Sequence, residues 1–281
     1  MSEEKLEETR ENLTKLRAYS ANYYWKSDLY TDFEKAYGKY LYVPFDVPVI
    51  RPNNMAKFAE FYFRKAQPIT KVKTDILSAK FEGNERSPYL SITSKAKENS
   101  DVWSPNTVPE IYTEFPEIFE QIHEYLPFVE DPLFKWSMWS SNRDVPAHRD
   151  YGSQIDAPVG VRIKLLDTNP SETLSLLLDP LDREHNFDWY PLNVPKETNT
   201  FAWNNLRQKH RSVYKHGHRK ILMIFSAKSL HQMITGKCLN RYIDILDRSI
   251  AKYQKETVVD TATTFSDYLT FTETDEINKI L

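Results

Sequence analysis

Residues 200–226, TFAWNNLRQKHRSVYKHGHRKILMIFS, contain three short apolar or alternating runs separated by turn chemistry. The runs at 200–203, 210–214 and 219–226 have strand length. Asn204 and Asn205 follow the first, and Gly217, flanked by His216 and His218, punctuates the gap between the second and third as a hairpin turn would. The same texture reaches back to residue 134, so strands are also expected at 134–140, 159–166, 173–178 and 188–194. No helix long enough for a parallel crossover separates these runs. The pattern therefore predicts an antiparallel sandwich or jelly roll and excludes a doubly wound parallel sheet.

Helical periodicity flanks this β region on both sides. Leu6, Leu13 and Leu16 fall on one side of a charged stretch at 2–20, predicting an amphipathic helix. Met55, Phe58 and the aromatic run 61–63 suggest a helix after Pro52-Asn-Asn, with a strand still open, and a strand is expected at 89–93 inside a loop-like 84–110. Phe115, Ile118, Phe119, Ile122 and Leu126 follow i, i+3, i+4, i+7 spacing, with Pro116 tolerable in the first turn. Leu239, Tyr242, Ile243, Leu246, Ile250 and Tyr253 restore a helical stripe near the C-terminus, before a polar and acidic last stretch. We thus expect one domain over 1–281: a mostly helical part at 1–130, a β core at 131–228, and a helical extension at 229–281.

With 40% hydrophobic and 14% aromatic residues, the chain has material for a core, which excludes global disorder. Its 37 Lys and Arg against 40 Asp and Glu give a net charge of -3, so no whole-chain field draws it to nucleic acid or an anionic membrane. Duplex DNA is not an expected partner. A single cysteine, Cys238, excludes an intramolecular disulfide framework and a multi-thiolate zinc site, and points to a reducing compartment. The N-terminus lacks a basic stretch followed by an apolar one, and no run approaches the length of a membrane span. The reading is a soluble cytoplasmic protein, monomeric or weakly dimeric.

The chemistry concentrates at VPAHRDYG, residues 145–152. In an extended segment His148 and Asp150 point the same way and can bind one ion together. His210 is the best third candidate, because antiparallel strands distant in sequence can be neighbours in a jelly roll. Two imidazoles and one carboxylate on one face leave adjacent coordination positions open, which suits non-haem Fe(II) that must bind a cosubstrate and O2 together. Arg219, nine residues after His210 and at the start of an apolar strand, offers a planar guanidinium for the carboxylate of a small diacid chelated to that metal.

These residues resemble the Fe(II)/2-oxoglutarate-dependent dioxygenase superfamily, whose core is a double-stranded β-helix of cupin-like type. Over 115–226 the chain is similar to the aspartyl/asparaginyl β-hydroxylase-like branch: Glu124-Tyr-Leu-Pro-Phe128, Ala147-His-Arg-Asp-Tyr-Gly152, Val161-Arg-Ile163, Phe201-Ala-Trp-Asn204, His210 and Arg219. Some members of that branch lack the carboxylate that Asp150 supplies here. The resemblance implies iron held by His148, Asp150 and His210, and Arg219 on the distal carboxylate of 2-oxoglutarate. Arg162 is a second candidate for that pocket, its strand face left open by the sequence. The implied reaction is hydroxylation of an unactivated C–H bond with release of succinate and CO2. Its substrate would be an Asp- or Asn-type residue of a polypeptide, with a free amino acid or a nucleobase as alternatives. A cupin-like binding protein without turnover is the rival from another class.

The remaining histidines carry blander readings. His123 sits on the charged side of a helix, His185 lies in a loop, His231 has no metal-like spacing, and His216 and His218 are turn residues, either one a reserve for His210. Cys238 reads as a small buried hydrophobe. Most of Trp136, Trp139, Trp189, Tyr190 and Trp203 should be core, with one or two lining a cleft. The basic run 207–220 suffices for local anion attraction, since strand alternation turns half of it away from any one ligand.

Overall fold

The structure, a computed structural model, describes residues 28–68, 70–71, 89–93, 103–104, 107–129, 136–141, 145–148, 158, 160–168, 175–177, 189–204, 210–213, 217, 219–225 and 237–259. In chain order the elements are α1 (Asp28–Tyr37), β1 (Tyr40–Pro44), α2 (Met55–Lys65), β2 (Gln67–Pro68), β3 (Thr70–Lys71), β4 (Tyr89–Thr93) and β5 (Trp103–Ser104). Two helices follow, α3 (Ile111–Glu114) and α4 (Pro116–Tyr125). Then come β6 (Trp136–Ser141), β7 (Val145–His148), β8 (Gly160–Asp167), β9 (Ser175–Leu177), β10 (Trp189–Pro191), β11 (Thr200–Trp203), β12 (His210–Ser212) and β13 (Lys220–Phe225). The described chain closes with α5 (Lys237–Lys252) and β14 (Val258–Val259).

An eight-stranded sheet runs β14-β1-β11-β8-β13-β6-β4-β2, a four-stranded sheet runs β10-β9-β12-β7, and β3 pairs with β5. Between β6 and β13 the chain passes from large sheet to small and back, with β9 and β10 forming one antiparallel pair in the small sheet, and every pairing within these two sheets is antiparallel. This winding is a double-stranded β-helix. The jelly-roll expectation therefore holds, and Thr200–Trp203 falls on the expected residues.

Alternation along the large sheet sorts its residues into two faces. Val43, Ala202, Val161, Ile163, Ile221, Met223, Phe225 and Met138 join the main core with Phe58 and Tyr62 of α2, Ile118 and Ile122 of α4, and Tyr242 and Leu246 of α5. Tyr42, Phe201, Trp203 and Leu222 occupy the other face and form a second cluster with Ile224 packed on it. Helices thus cover one face, and the small sheet covers the other.

Local chemistry explains the helix that the sequence left open. Asn54 Oδ1 accepts from Lys57 N at 2.9 Å, and Phe58, Phe61 and Tyr62 then fall on one buried stripe. Pro116 occupies the first turn of α4, as expected. Among the described residues of 1–130, β1, β2 and β4 join the large sheet beside the four helices. Tyr40-Leu-Tyr-Val-Pro44 has no polar alternation: four of its five residues are buried, since β1 is covered on both faces. The helix expected at 2–20 and most of the last stretch lie outside the described residues. Among the described residues, no helix is long and apolar enough to cross a membrane.

Candidate active site

His210 opens β12 and stands opposite His148, the last residue of β7, with Leu176 of β9 on its other flank. The two histidines come from opposite ends of the core, sixty-two positions apart, and the strand winding makes them register partners. His210 is 6% exposed, and its ring packs on the Trp203 ring with centroids 4.6 Å apart at 33°. Trp203 closes β11 on the face that looks toward the small sheet, so one indole spans the gap between the sheets. The same indole carries the Arg162 guanidinium, whose Cζ lies 4.8 Å from the ring centroid. Arg162 is 2% exposed and donates from Nη1 to the Val161 carbonyl at 3.2 Å. Its strand face, which the sequence left open, is therefore the inner one.

A second group of charges lies on β8 and β13. Lys220 opens β13, is buried, and its Nζ donates to Ser212 Oγ of β12, bridging the two sheets. Asp167 stands opposite Lys220 in the register, and Lys164 Nζ lies 3.0 Å from Asp167 Oδ2, both side chains nearly buried. In an unbroken strand, residues three apart face opposite ways. Here Leu222 pairs with Lys164 while Ile221 pairs with Leu166, so Leu165 is an extra residue and the strand bulges. Leu165 and Leu166 both pack on the helical side, and Lys164 and Asp167 consequently share the inner face. Burial lowers the Lys220 ammonium from 10.5 to about 8; Asp167 pulls it back up, and Lys164 pushes it further down.

The expected site residues divide between those brought together and those that are not. His148 and His210 share a rung; Asp150 lies outside the described residues, as do His185, His216, His218 and His231. Arg219 precedes β13, is exposed, and its Cζ lies 5.2 Å from the ring centroid of Phe63, a residue of α2 that packs on the helical core. Its backbone exchanges hydrogen bonds with Thr168, which donates from N to the Arg219 carbonyl at 3.0 Å and accepts from Arg219 N on Oγ1 at 2.9 Å. Of these two neighbouring cations, the one that faces the interior is Lys220, one residue later. Strand alternation could have found it: Lys220, Leu222 and Ile224 share a parity, and the sequence reading gave Arg219 the strand's first position. His123 is half-buried, with Nδ1 3.4 Å from the Val129 carbonyl oxygen, and Cys238 is buried in the main core. Among the described residues, no three His, Cys, Asp or Glu side chains come together.

No protein-family model matches the chain, and no curated protein matches it. Among solved structures, the chain is similar to the non-heme alpha-ketoglutarate-dependent carbocyclase SnoK from nogalamycin biosynthesis, at 12% identity over 73% of this chain and 84% of that one, with a TM-score of 0.36. It is also similar to the epimerase SnoN, solved with Fe3+, alpha ketoglutarate and nogalamycin RO, at 12% identity over 70% and 82% of the two chains, TM-score 0.31. A prolyl 4-hydroxylase from Phytophthora capsici matches at 13% identity over 68% and 71%, TM-score 0.27.

Proposed function

We propose that the protein is an Fe(II)- and 2-oxoglutarate-dependent oxygenase that hydroxylates an unactivated C–H bond, with an Asp- or Asn-type residue of a polypeptide as substrate. The observation that carries this reading is the rung shared by His148 and His210, beside an interior lined by the cations Arg162, Lys164 and Lys220. The donor set fits the metal: two imidazoles on adjacent strands, a carboxylate two residues beyond one of them in the sequence, and the chain's lone thiol buried elsewhere in the helical core. His148, Asp150 and His210 would hold the iron. Bound iron with 2-oxoglutarate supplies the redox chemistry that joins one atom of O2 to the substrate carbon and one to succinate, with CO2 released.

The chain's own residues then bind and orient. Lys220 would take the distal carboxylate of 2-oxoglutarate, a role the resemblance assigned to Arg219, because Lys220 is the buried cation ten residues beyond His210 and on the inner face. Ser212 would add a hydroxyl beside that ammonium. Trp203 holds the His210 ring on one contact and Arg162 on another, and so would orient both. Arg162 supplies a second positive charge behind the metal ligand, which favours an anionic cosubstrate over a neutral one.

Anaerobic titration with Fe(II) and 2-oxoglutarate tests this reading. The chelate should give a visible charge-transfer band that saturates with both ligands. A protein that binds neither at saturating concentration would instead be the non-catalytic cupin-like binder.

A further inference from the structure

The β8 bulge has a chemical product. Were β8 regular from Lys164 to Asp167, these two residues would lie on opposite faces; with the bulge at Leu165 they form an ion pair, 3.0 Å apart, on the face that carries Lys220. Three ionisable groups, two cations and one anion, are thereby packed together in a largely buried place. A buried ion pair is a poor stabiliser compared with apolar residues of the same volume, so its presence calls for another reason. A regular strand with apolar residues at both positions would close the same sheet at less cost.

We propose that Lys164 and Asp167 are positioning residues for Lys220, Asp167 keeping its ammonium charged and directed across to Ser212 and Lys164 limiting how tightly Asp167 holds it, so that Lys220 stays available to an incoming carboxylate; this rests on the anchoring role proposed above for Lys220. Asp167 stands directly across the register from Lys220, so its charge acts on Lys220 at short range in a largely buried setting. Asp167 is shared with Lys164, whose Nζ lies 3.0 Å from Asp167 Oδ2, so its charge is not spent on Lys220 alone. Among the described residues, the other charged or titratable groups on the flanking strands are Arg162 on β8, which pairs further along with Ile224, His210 and Arg211 on β12, and the exposed Arg219 that precedes Lys220. Asp167 is the acid among these described residues. It opposes the burial that lowers Lys220, and Lys164 acts in the opposite sense, so the two neighbours carry contrary signs.

The contrary signs make the test. Binding of 2-oxoglutarate to the anaerobic Fe(II) protein is measured by calorimetry from pH 6.5 to 10 in wild type, Asp167→Asn and Lys164→Met, with circular dichroism as a check on folding. Wild-type affinity should fall with a midpoint that lies above neutrality. Asp167→Asn should move that midpoint down, and Lys164→Met should move it up, each by about one pH unit, the lower end of what a close charge does. A merely structural role would weaken binding alike at every pH and leave the midpoint in place. Removing Asp167 leaves Lys164 buried and unpaired, so the double variant Lys164→Met, Asp167→Asn is the companion, with a midpoint expected between those of the single variants. If Asp167→Asn does not fold, the upward shift in Lys164→Met alone decides the matter. A shared midpoint in all folded variants overturns the inference while leaving Lys220 as the anchor; wild-type protein that binds no 2-oxoglutarate at any pH overturns both.

Discussion

His148 and His210 occupy one rung between β7 and β12, although more than half of the β core separates them in the chain. Residues directly opposite in an antiparallel pair have Cβ atoms about 4.5–5.5 Å apart, close enough to serve one ion. His148→Ala, Asp150→Ala and His210→Ala should each lower Fe(II) affinity by about a hundredfold or more, since even outer-shell changes reach that size. His210→Ala should differ from the other two in one respect. It also removes the ring packed on Trp203, and should cost about 1 kcal/mol of stability in the metal-free protein, measured by chemical denaturation.

Exchanging the two neighbouring cations separates their roles. Lys220→Met should weaken 2-oxoglutarate binding by about ten- to a hundredfold, because hydrogen bonds to charged groups are worth about 1.5–3 kcal/mol and 1.36 kcal/mol is a factor of ten. Arg219→Met should change it by less than about threefold, the range of an exposed substitution. Apparent affinity in succinate-release assays reads both. The opposite order would return the carboxylate to Arg219 and leave the iron ligands as they are.

Alkaline pH should act on ligand-free stability through the same lysine. Its folded value of about 8 lies below the 10.5 expected when unfolded, so between those limits the unfolded chain binds more protons. Stability therefore gains from Lys220 as pH rises through that window, and the charged form is a cost below it. Denaturation of wild type and Lys220→Met at pH 7 and pH 10 isolates the contribution. Wild type should improve relative to the variant at the higher pH.

Asn199 ties a loop to the strand that bears Arg162 and Lys164. Its Oδ1 accepts from Ile50 N at 2.9 Å, and its Nδ2 donates to the Ile50 carbonyl at 2.6 Å and to the Lys164 carbonyl at 2.9 Å. Asn199→Leu would orphan these backbone groups in a buried place and should cost about 2–4 kcal/mol, seen as a lowered denaturation midpoint with unchanged slope.

The strands were legible where burial is one-sided and punctuation is strong: Thr200–Trp203 follows a polar turn and precedes an Asn pair, and Pro116 marked the start of a helix. β1 gave no comparable signal, because a strand covered on both faces does not alternate. At the candidate site, residue types were readable but faces were not. A shift of one residue reverses a strand's facing; that is why Arg219 and Lys220 could not be separated by spacing from His210 alone. The Leu165 bulge left only a local mark, the break of alternation in Lys164-Leu-Leu-Asp167, which the reading of 159–166 as one strand passed over. Arg162 needed the register with Phe201 and Ile224 before its side of the sheet was defined.

Val258–Val259 is only a two-residue strand, yet it lies on the outer margin of β1 and completes the large sheet. β1 is apolar and almost wholly buried, and its free margin would offer ready-made pairing positions to any extended chain it met. β14 thus occupies pairing positions that an extended chain would otherwise take. Val259, 46% exposed, is what remains visible of that margin. Among the described residues, covering the margin of β1 falls to two valines at the far end of the chain from the strand they flank.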